Sequence, residues 1–333
     1  MSDRPSASYR GPSRRTVAKA AALGAAGVLA GARRASAAVI TVTRLGPRTF
    51  DLGIPSAALG RTAPVRIILP TAYTARPDSV WPVLHLLHGA HDDYTSWTRE
   101  TDIEAFTANR DLIVAMPDGG PTGIPTRWQT GPDYETFQLQ EVPAALRAGY
   151  RASGVQAVAG VSTGGYGAMA HAARHPGTFA AAASYSGIPD TTVPTMPAII
   201  QGIVAREILN PLSLWGDPTR DSATWQDFNP RARAEALRGT ALYVSAGSGS
   251  LSGGLDTVIA LARLVTGGVA AVLPGALESL VAPSTRSFVT VLGQLGIPAT
   301  QHLYQGGGHQ WSDWKGEFTA SWPVLAGALG LPV

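Results

Sequence analysis

Beyond residue 60 the chain alternates between short, continuous apolar runs and stretches whose apolar residues recur at helical spacing. Val65–Leu69, closed by Pro70, reads as a strand, as do Pro82–His88 and Leu112–Met116, the last ending at Pro117-Asp118-Gly119-Gly120. Val155–Ala159, Ala241–Ser245 and Ala299–Tyr304 share the same β-prone composition. Strands that are apolar throughout, rather than alternating, belong to sheets covered on both faces, which is the habit of parallel sheets. Glu141–Tyr150 and Tyr166–Arg174 read as helices between them. The pattern predicts an α/β fold with a mostly parallel central sheet and helices on both faces. Two segments stand outside the alternation: Thr191–Trp215, apolar and broken by prolines, and Ser250–Leu277, rich in Gly, Ala, Val and Leu. Each is expected either as packing helices or as an apolar cover for a lipid-like chain.

The junction between the Val155–Ala159 strand and the helix after it carries the main chemical signal. Ser162 lies in Gly160-Val161-Ser162-Thr163-Gly164-Gly165. A serine with glycine two residues away on either side, at a strand-to-helix turn, is the nucleophile-elbow pattern of the α/β-hydrolase fold. The turn is too sharp for side chains at those positions, and glycine tolerates backbone angles that other residues avoid. A serine hydroxyl is a weak nucleophile until a general base takes its proton, and the base needs an orienting partner.

In this fold class the order along the chain is Ser, acid, His. Only His302 and His309 follow the elbow helix. His302 falls inside a strand and is expected to be structural. His309 follows Gly306-Gly307-Gly308, on a loop past the last strand, and is the expected base. His171 and His175, on the elbow helix and at its end, are expected as surface charges pointing away from the serine. Two acids compete for the orienting role: Asp256, behind strand 241–245, and Glu278, in Ala276-Leu277-Glu278-Ser279-Leu280; topology alone favours Asp256. The oxyanion donors are expected to be the amides of Thr163 and of Ala90, in His88-Gly89-Ala90. His85, His88, His91, Asp92 and Asp93 form a metal-like cluster in sequence. A spacing of three on a strand turns His85 and His88 to opposite faces, however, and acyl transfer at a serine needs no metal. Neither metal nor cofactor is expected.

The N-terminus changes the reading of charge and compartment. Ser13-Arg14-Arg15-Thr16-Val17-Ala18-Lys19 is a twin-arginine pattern, followed by an apolar stretch from Ala20 to Ala32 and then Ala35-Ser36-Ala37. That sequence of features predicts a twin-arginine signal peptide over residues 1–37, cut after Ala37, and a single domain over 38–333. Of the 26 Lys and Arg, seven lie in residues 1–37 with one of the 23 acids, which leaves 19 basic against 22 acidic groups. The overall charge of +3 therefore belongs to the leader, and nothing in the remainder argues for nucleic-acid binding. The chain has no cysteine, so it has neither disulfides nor a thiol nucleophile. Hydrophobic residues make up 45% and charged residues 15%, enough to bury a large core in a secreted or envelope-associated protein, expected as a monomer.

Taken together, the motifs resemble the antigen 85 mycolyltransferases and the related esterase-D-like α/β-hydrolases, from about Val65 to Pro323. The matching pieces are Leu87-His88-Gly89, Asp92-Asp93-Tyr94-Thr95-Ser96-Trp97, Met116-Pro117-Asp118-Gly119-Gly120, and Tyr134-Glu135-Thr136-Phe137 with Glu141-Val142-Pro143. The elbow, Leu214-Trp215-Gly216, Asp227-Phe228-Asn229-Pro230 and Gly308-His309-Gln310-Trp311-Ser312-Asp313-Trp314 continue the series. The resemblance implies a Ser-Glu-His triad and moves the acid to Glu278, with Asp256 in reserve. It implies an acyl-ester or lipid substrate, and a sugar such as trehalose, diacylglycerol or water as acceptor. His88 and Trp311, beside the oxyanion loop and the base, are the expected substrate contacts. The trehalose-using members usually carry Asp where this chain has His88. Some relatives have lost the triad and serve as binding proteins; here all three positions are filled.

Overall fold

The computed structural model describes residues 39–251 and 274–333. Nine strands form one sheet: β1 (Thr41–Arg44), β2 (Thr49–Ser56), β3 (Arg61–Ile68), β4 (Trp81–Leu87), β5 (Ile113–Pro117), β6 (Ala152–Val161), β7 (Ala181–Tyr185), β8 (Ala241–Gly247) and β9 (Thr300–Tyr304). Their order is β1-β2-β3-β5-β4-β6-β7-β8-β9. From β5 to β9 every neighbouring pair is parallel. An antiparallel meander, β1 to β3, extends the edge next to β5. This is the α/β-hydrolase fold, and all six strands read from the apolar runs are present.

Three strands escape the apolar pattern for separate reasons. All four residues of β1 are exposed, so no core imprints a pattern on it. β2 does alternate in burial but contains Gly53 and Pro55, which break its apolar run. β7 reads Ala-Ala-Ala-Ser-Tyr, a helix-like composition, yet every residue is buried between β6 and β8. Tertiary burial overrides local propensity there.

The longer described helices are α1 (Val142–Tyr150), α2 (Thr163–Arg174), α3 (Met196–Arg206), α4 (Pro274–Gln294) and α5 (Trp311–Leu329). Period-2 alternation along the strands divides them between the faces. Ala157, Ala159 and Val161 of β6, with Ala181, Ala183 and Tyr185 of β7, pack against Trp314, Phe318 and Trp322 of α5. Val158, Ala182, Leu242 and Val244 point the other way, onto Ala168 and Met169 of α2 and Phe288 of α4. α1 covers β4 and β5 through Val142 and Leu146. Thr191–Trp215 contains α3 and a short helix, Leu212–Trp215, which join a fourth cluster with Tyr166 and the start of α4. Most of Ser250–Leu277 lies outside the described residues. Among the described residues no helix is long and apolar enough to cross a membrane.

Candidate active site

Ser162 sits at the C-terminal end of β6, in the middle of the sheet, as the residue that caps α2. Its backbone has φ 54° and ψ −122°, a left-handed conformation that L residues rarely hold. The turn is fastened on both sides. Ser162 N–H donates to Tyr185 O at 2.9 Å, and Tyr166 N–H donates to Ser162 O at 3.0 Å. The two glycines are steric requirements: a Cβ at 160 would lie 2.2 Å from Gly164 O, and one at 164 would lie 2.4 Å from His88 O. The close passage of the β4 loop behind the elbow is what forbids a side chain at 164.

His309 also has a positive φ, 51°, on the loop between β9 and α5. Its Nε2 is 3.0 Å from Ser162 Oγ, and its Nδ1 is 2.7 Å from Glu278 Oε2. Glu278 is fully buried in the second turn of α4, and its other oxygen accepts from Ser186 Oγ at 2.8 Å and Gly247 N–H at 2.6 Å. A buried carboxylate must be paired and hydrogen-bonded to remain there. Here a histidine N–H, a hydroxyl and an amide all point at it. That arrangement holds the imidazole with its proton on Nδ1 and turns the lone pair of Nε2 to the serine hydroxyl. Trp314 packs edge-on against the imidazole, with ring centroids 5.1 Å apart. Asp256, the other candidate acid, lies outside the described residues.

Gly89, Ala90 and Thr163 line the same cleft as Ser162, which measures about 310 Å³. A Cβ at 89 would stand 3.3 Å from Ser162 Cβ, so a side chain there would crowd the serine. Among the described residues neither the Ala90 amide nor the Thr163 amide donates to a protein acceptor, which leaves both donors free at the serine. The wall is apolar: Ile188, Ile199 and Ile203, then Leu277 and Val281. Of these, α3 and α4 carry all but Ile188, which follows β7. Trp311 also lines the cleft.

The remaining sequence candidates find other places. His88 is a correction: it does not line the cleft but is buried, 2% exposed, with both ring nitrogens committed to backbone groups of Gly89 and Gly119. His171 is not a surface charge either. It is buried against Gln138 at 3.0 Å, and desolvation lowers its pKa to about 4. His175 does reach solvent, pairing with Glu135 at 2.5 Å. His302 pairs with Glu317, away from the serine. The metal-like cluster disperses: His85 bonds to Gln156, His91 to Glu207, Asp92 to Arg99 and Asp93 to Thr95. Ser186 was not legible in the sequence; the one clue is that it follows β7, a strand hidden by its alanines.

The fold together with a serine, histidine and glutamate hydrogen-bonded in series at the C-terminal edge of the sheet places the molecule among the α/β-hydrolases. More narrowly, the chain belongs to the putative esterase family, whose model matches residues 56–325. An esterase of Mycobacterium tuberculosis is 29% identical over 273 residues, 78% of this chain but 56% of its own length, so the chain spans about half of that relative. The diacylglycerol acyltransferase/mycolyltransferase Ag85B of Mycobacterium intracellulare is 29% identical over 337 residues, 95% of this chain and 94% of that one. Among solved structures, MPT51 of Mycobacterium tuberculosis superposes with a TM-score of 0.66 at 23% identity, over 87% of this chain and 99% of that chain. At that identity the likeness speaks for the fold. The resemblance read from the motifs is borne out.

Proposed function

We propose that this protein is a serine-dependent esterase or acyltransferase that forms an acyl-enzyme on Ser162. One observation carries the reading: Ser162 Oγ, His309 Nε2, His309 Nδ1 and Glu278 Oε2 form a continuous relay, with links of 3.0 and 2.7 Å, opening on an apolar cleft. His309 takes the hydroxyl proton as Ser162 Oγ attacks the ester carbonyl. The amides of Thr163 and Ala90 receive the negative charge that develops on the carbonyl oxygen. Glu278 stabilises the imidazolium, which then protonates the departing alkoxide. The acyl group stays on Ser162 against the isoleucines of the wall until a second hydroxyl, deprotonated by the same histidine, removes it. Water as that hydroxyl makes the protein a carboxylesterase; a sugar such as trehalose, or diacylglycerol, makes it an acyltransferase. The relatives named above as esterase and as diacylglycerol acyltransferase/mycolyltransferase support both branches of this chemistry.

The twin-arginine pattern supports export of a protein cut after Ala37 to the cell surface or beyond, with 38–333 as the working domain. The described residues from Val39 onward fall in one compact unit. The test is labelling with a fluorophosphonate. The wild-type protein is expected to take one equivalent at Ser162, and a folded protein that stays unlabelled overturns the assignment in favour of a binding protein. A short-chain ester supplied with and without trehalose or diacylglycerol then separates the two branches: hydrolysis alone at high acceptor concentration rules out transfer.

A further inference from the structure

The correction at His88 leads to a role for that residue. A backbone N–H can only donate, so Gly119 N–H, 2.9 Å from His88 Nε2, requires that nitrogen to be the unprotonated acceptor. A backbone carbonyl can only accept, so His88 Nδ1, 2.9 Å from Gly89 O, carries the proton and donates it. The ring is thereby fixed as one neutral tautomer, buried at 2% exposure, between two loops. Gly89 O belongs to the same planar peptide as the Ala90 N–H, and in a trans peptide the two point in opposite directions. Holding the carbonyl toward His88 therefore turns the amide away from it, and Ala90 lies in the cleft with Ser162.

The loop that carries Gly119 is itself held. Gln138 Nε2 donates to Asp118 O at 2.9 Å, and His91 N–H donates to Pro121 O at 2.8 Å. Gly123, with φ 57°, backs the Gly89 carbonyl so closely that a Cβ there would lie 2.5 Å from it.

We propose that His88 is the positioning residue of the oxyanion site: its Nδ1 proton sets the direction of the Gly89–Ala90 peptide and so aims the Ala90 amide at the developing oxyanion. This rests on the acyl-enzyme reading above. His88 touches no reacting atom; it acts through one peptide. Donation to Gly89 O also polarises that peptide and makes its N–H a better donor.

The test compares His88→Asn with His88→Gln. The Asn amide reaches about where Nδ1 stands and can still donate to Gly89 O, whereas the Gln terminus reaches about where Nε2 stands, serving Gly119 but not Gly89. The assay is hydrolysis of a short-chain chromogenic ester, with kcat and KM determined separately, alongside affinity for a boronic acid that mimics the tetrahedral adduct, and thermal midpoints. Loss of an oxyanion donor costs about 100- to 1,000-fold in kcat, and misaiming one is expected to cost roughly 10- to 100-fold. His88→Gln is expected to lose that much in kcat and in boronate affinity with KM little changed, and His88→Asn to recover most of it at a similar thermal midpoint. Equal kcat in the two variants, or losses in kcat that merely follow the thermal midpoint, overturns the assignment.

His85→Leu is the control for burial alone, since His85 lies on the strand side, bonded to Gln156, away from the cleft. It is expected to lose stability and keep kcat. Should both His88 variants fail to fold, Gly119→Ala serves instead. Its Cβ would stand 3.1 Å from His88 Nε2 and press on the ring without removing it. A kcat loss of about 3- to 10-fold at unchanged KM is expected, and full kcat overturns the proposal. Wild-type protein that neither labels at Ser162 nor turns over ester overturns the proposed function instead, so the two failures are distinguishable.

Discussion

Two histidine–glutamate pairs lie close together near the end of the chain, and chemically they are the same pair. His309 Nδ1 meets Glu278 at 2.7 Å, and His302 Nδ1 meets Glu317 at 2.8 Å. Both carboxylates are buried, and both take a second donor: Ser186 Oγ on Glu278, Tyr243 Oη on Glu317. The difference lies in where the second imidazole nitrogen faces. The His309 side chain is 5% exposed and its Nε2 meets Ser162, whereas the His302 side chain is 56% exposed on a strand at the sheet edge. A carboxylate that orients an imidazole is thus not enough to make a base. On the proposed reading the base is made by the loop beyond the strand, where His309, with its positive φ, meets Ser162. On the strand itself the same pair merely ties the edge to α5.

The sharpest way to break the comparison is to remove the group that distinguishes the sites. Ser162→Ala is expected to lower kcat by about 10⁴- to 10⁶-fold, with a circular dichroism spectrum matching the parent. His309→Asn should lose activity on the same scale, whereas His302→Asn should stay within about twofold; equal losses would erase the distinction. Next in size, Glu278→Gln is expected to cost about 10²- to 10⁴-fold in kcat through the wrong tautomer and the lost charge. Its counterpart Glu317→Gln should keep activity and cost about 1–2 kcal/mol of stability in urea unfolding.

The smallest effect concerns histidines that belong to neither pair. Burial lowers the pKa of both His85 and His171 to about 4, against the usual 6.5. The unfolded chain then binds more protons than the folded one between those values, so stability falls as pH drops from about 6.5 to 4, by roughly 2–3 kcal/mol for each histidine. Glu135, held down to about 2 while bonded to Arg174 and His175, extends the loss below pH 4.5. Urea midpoints measured from pH 7 to 4 should fall steadily. A flat profile above pH 5 would contradict the neutral, buried state of His85 and His171.

Much of the architecture was legible because parallel strands buried on both faces leave continuous apolar runs, as in β4, β5 and β8. The elbow was legible because the β4 loop and the first turn of α2 crowd residues 160 and 164 down to glycine. His309 followed from chain order, and Glu278 only from the motif resemblance, since chain position alone favoured Asp256. His88 and His171 were misread for one reason. Gly119, which bonds His88, and Gln138, which bonds His171, lie 31 and 33 residues away, and nothing local announces that a histidine will be buried against such distant groups. β7 was hidden because alanine carries no strand signal until its neighbours bury it.

The spacing of the relay along the chain has a consequence for biosynthesis. The proposed nucleophile is at 162, the proposed acid at 278 and the proposed base at 309. A growing polypeptide therefore carries an inert alcohol for most of its synthesis, and any fragment ending before residue 309 has a serine without a base. Under the proposed export of an already folded protein, the relay would be assembled before the membrane is crossed. An acyl donor on the inner side would then meet a complete relay, and restraint inside the cell would fall to the supply of substrate.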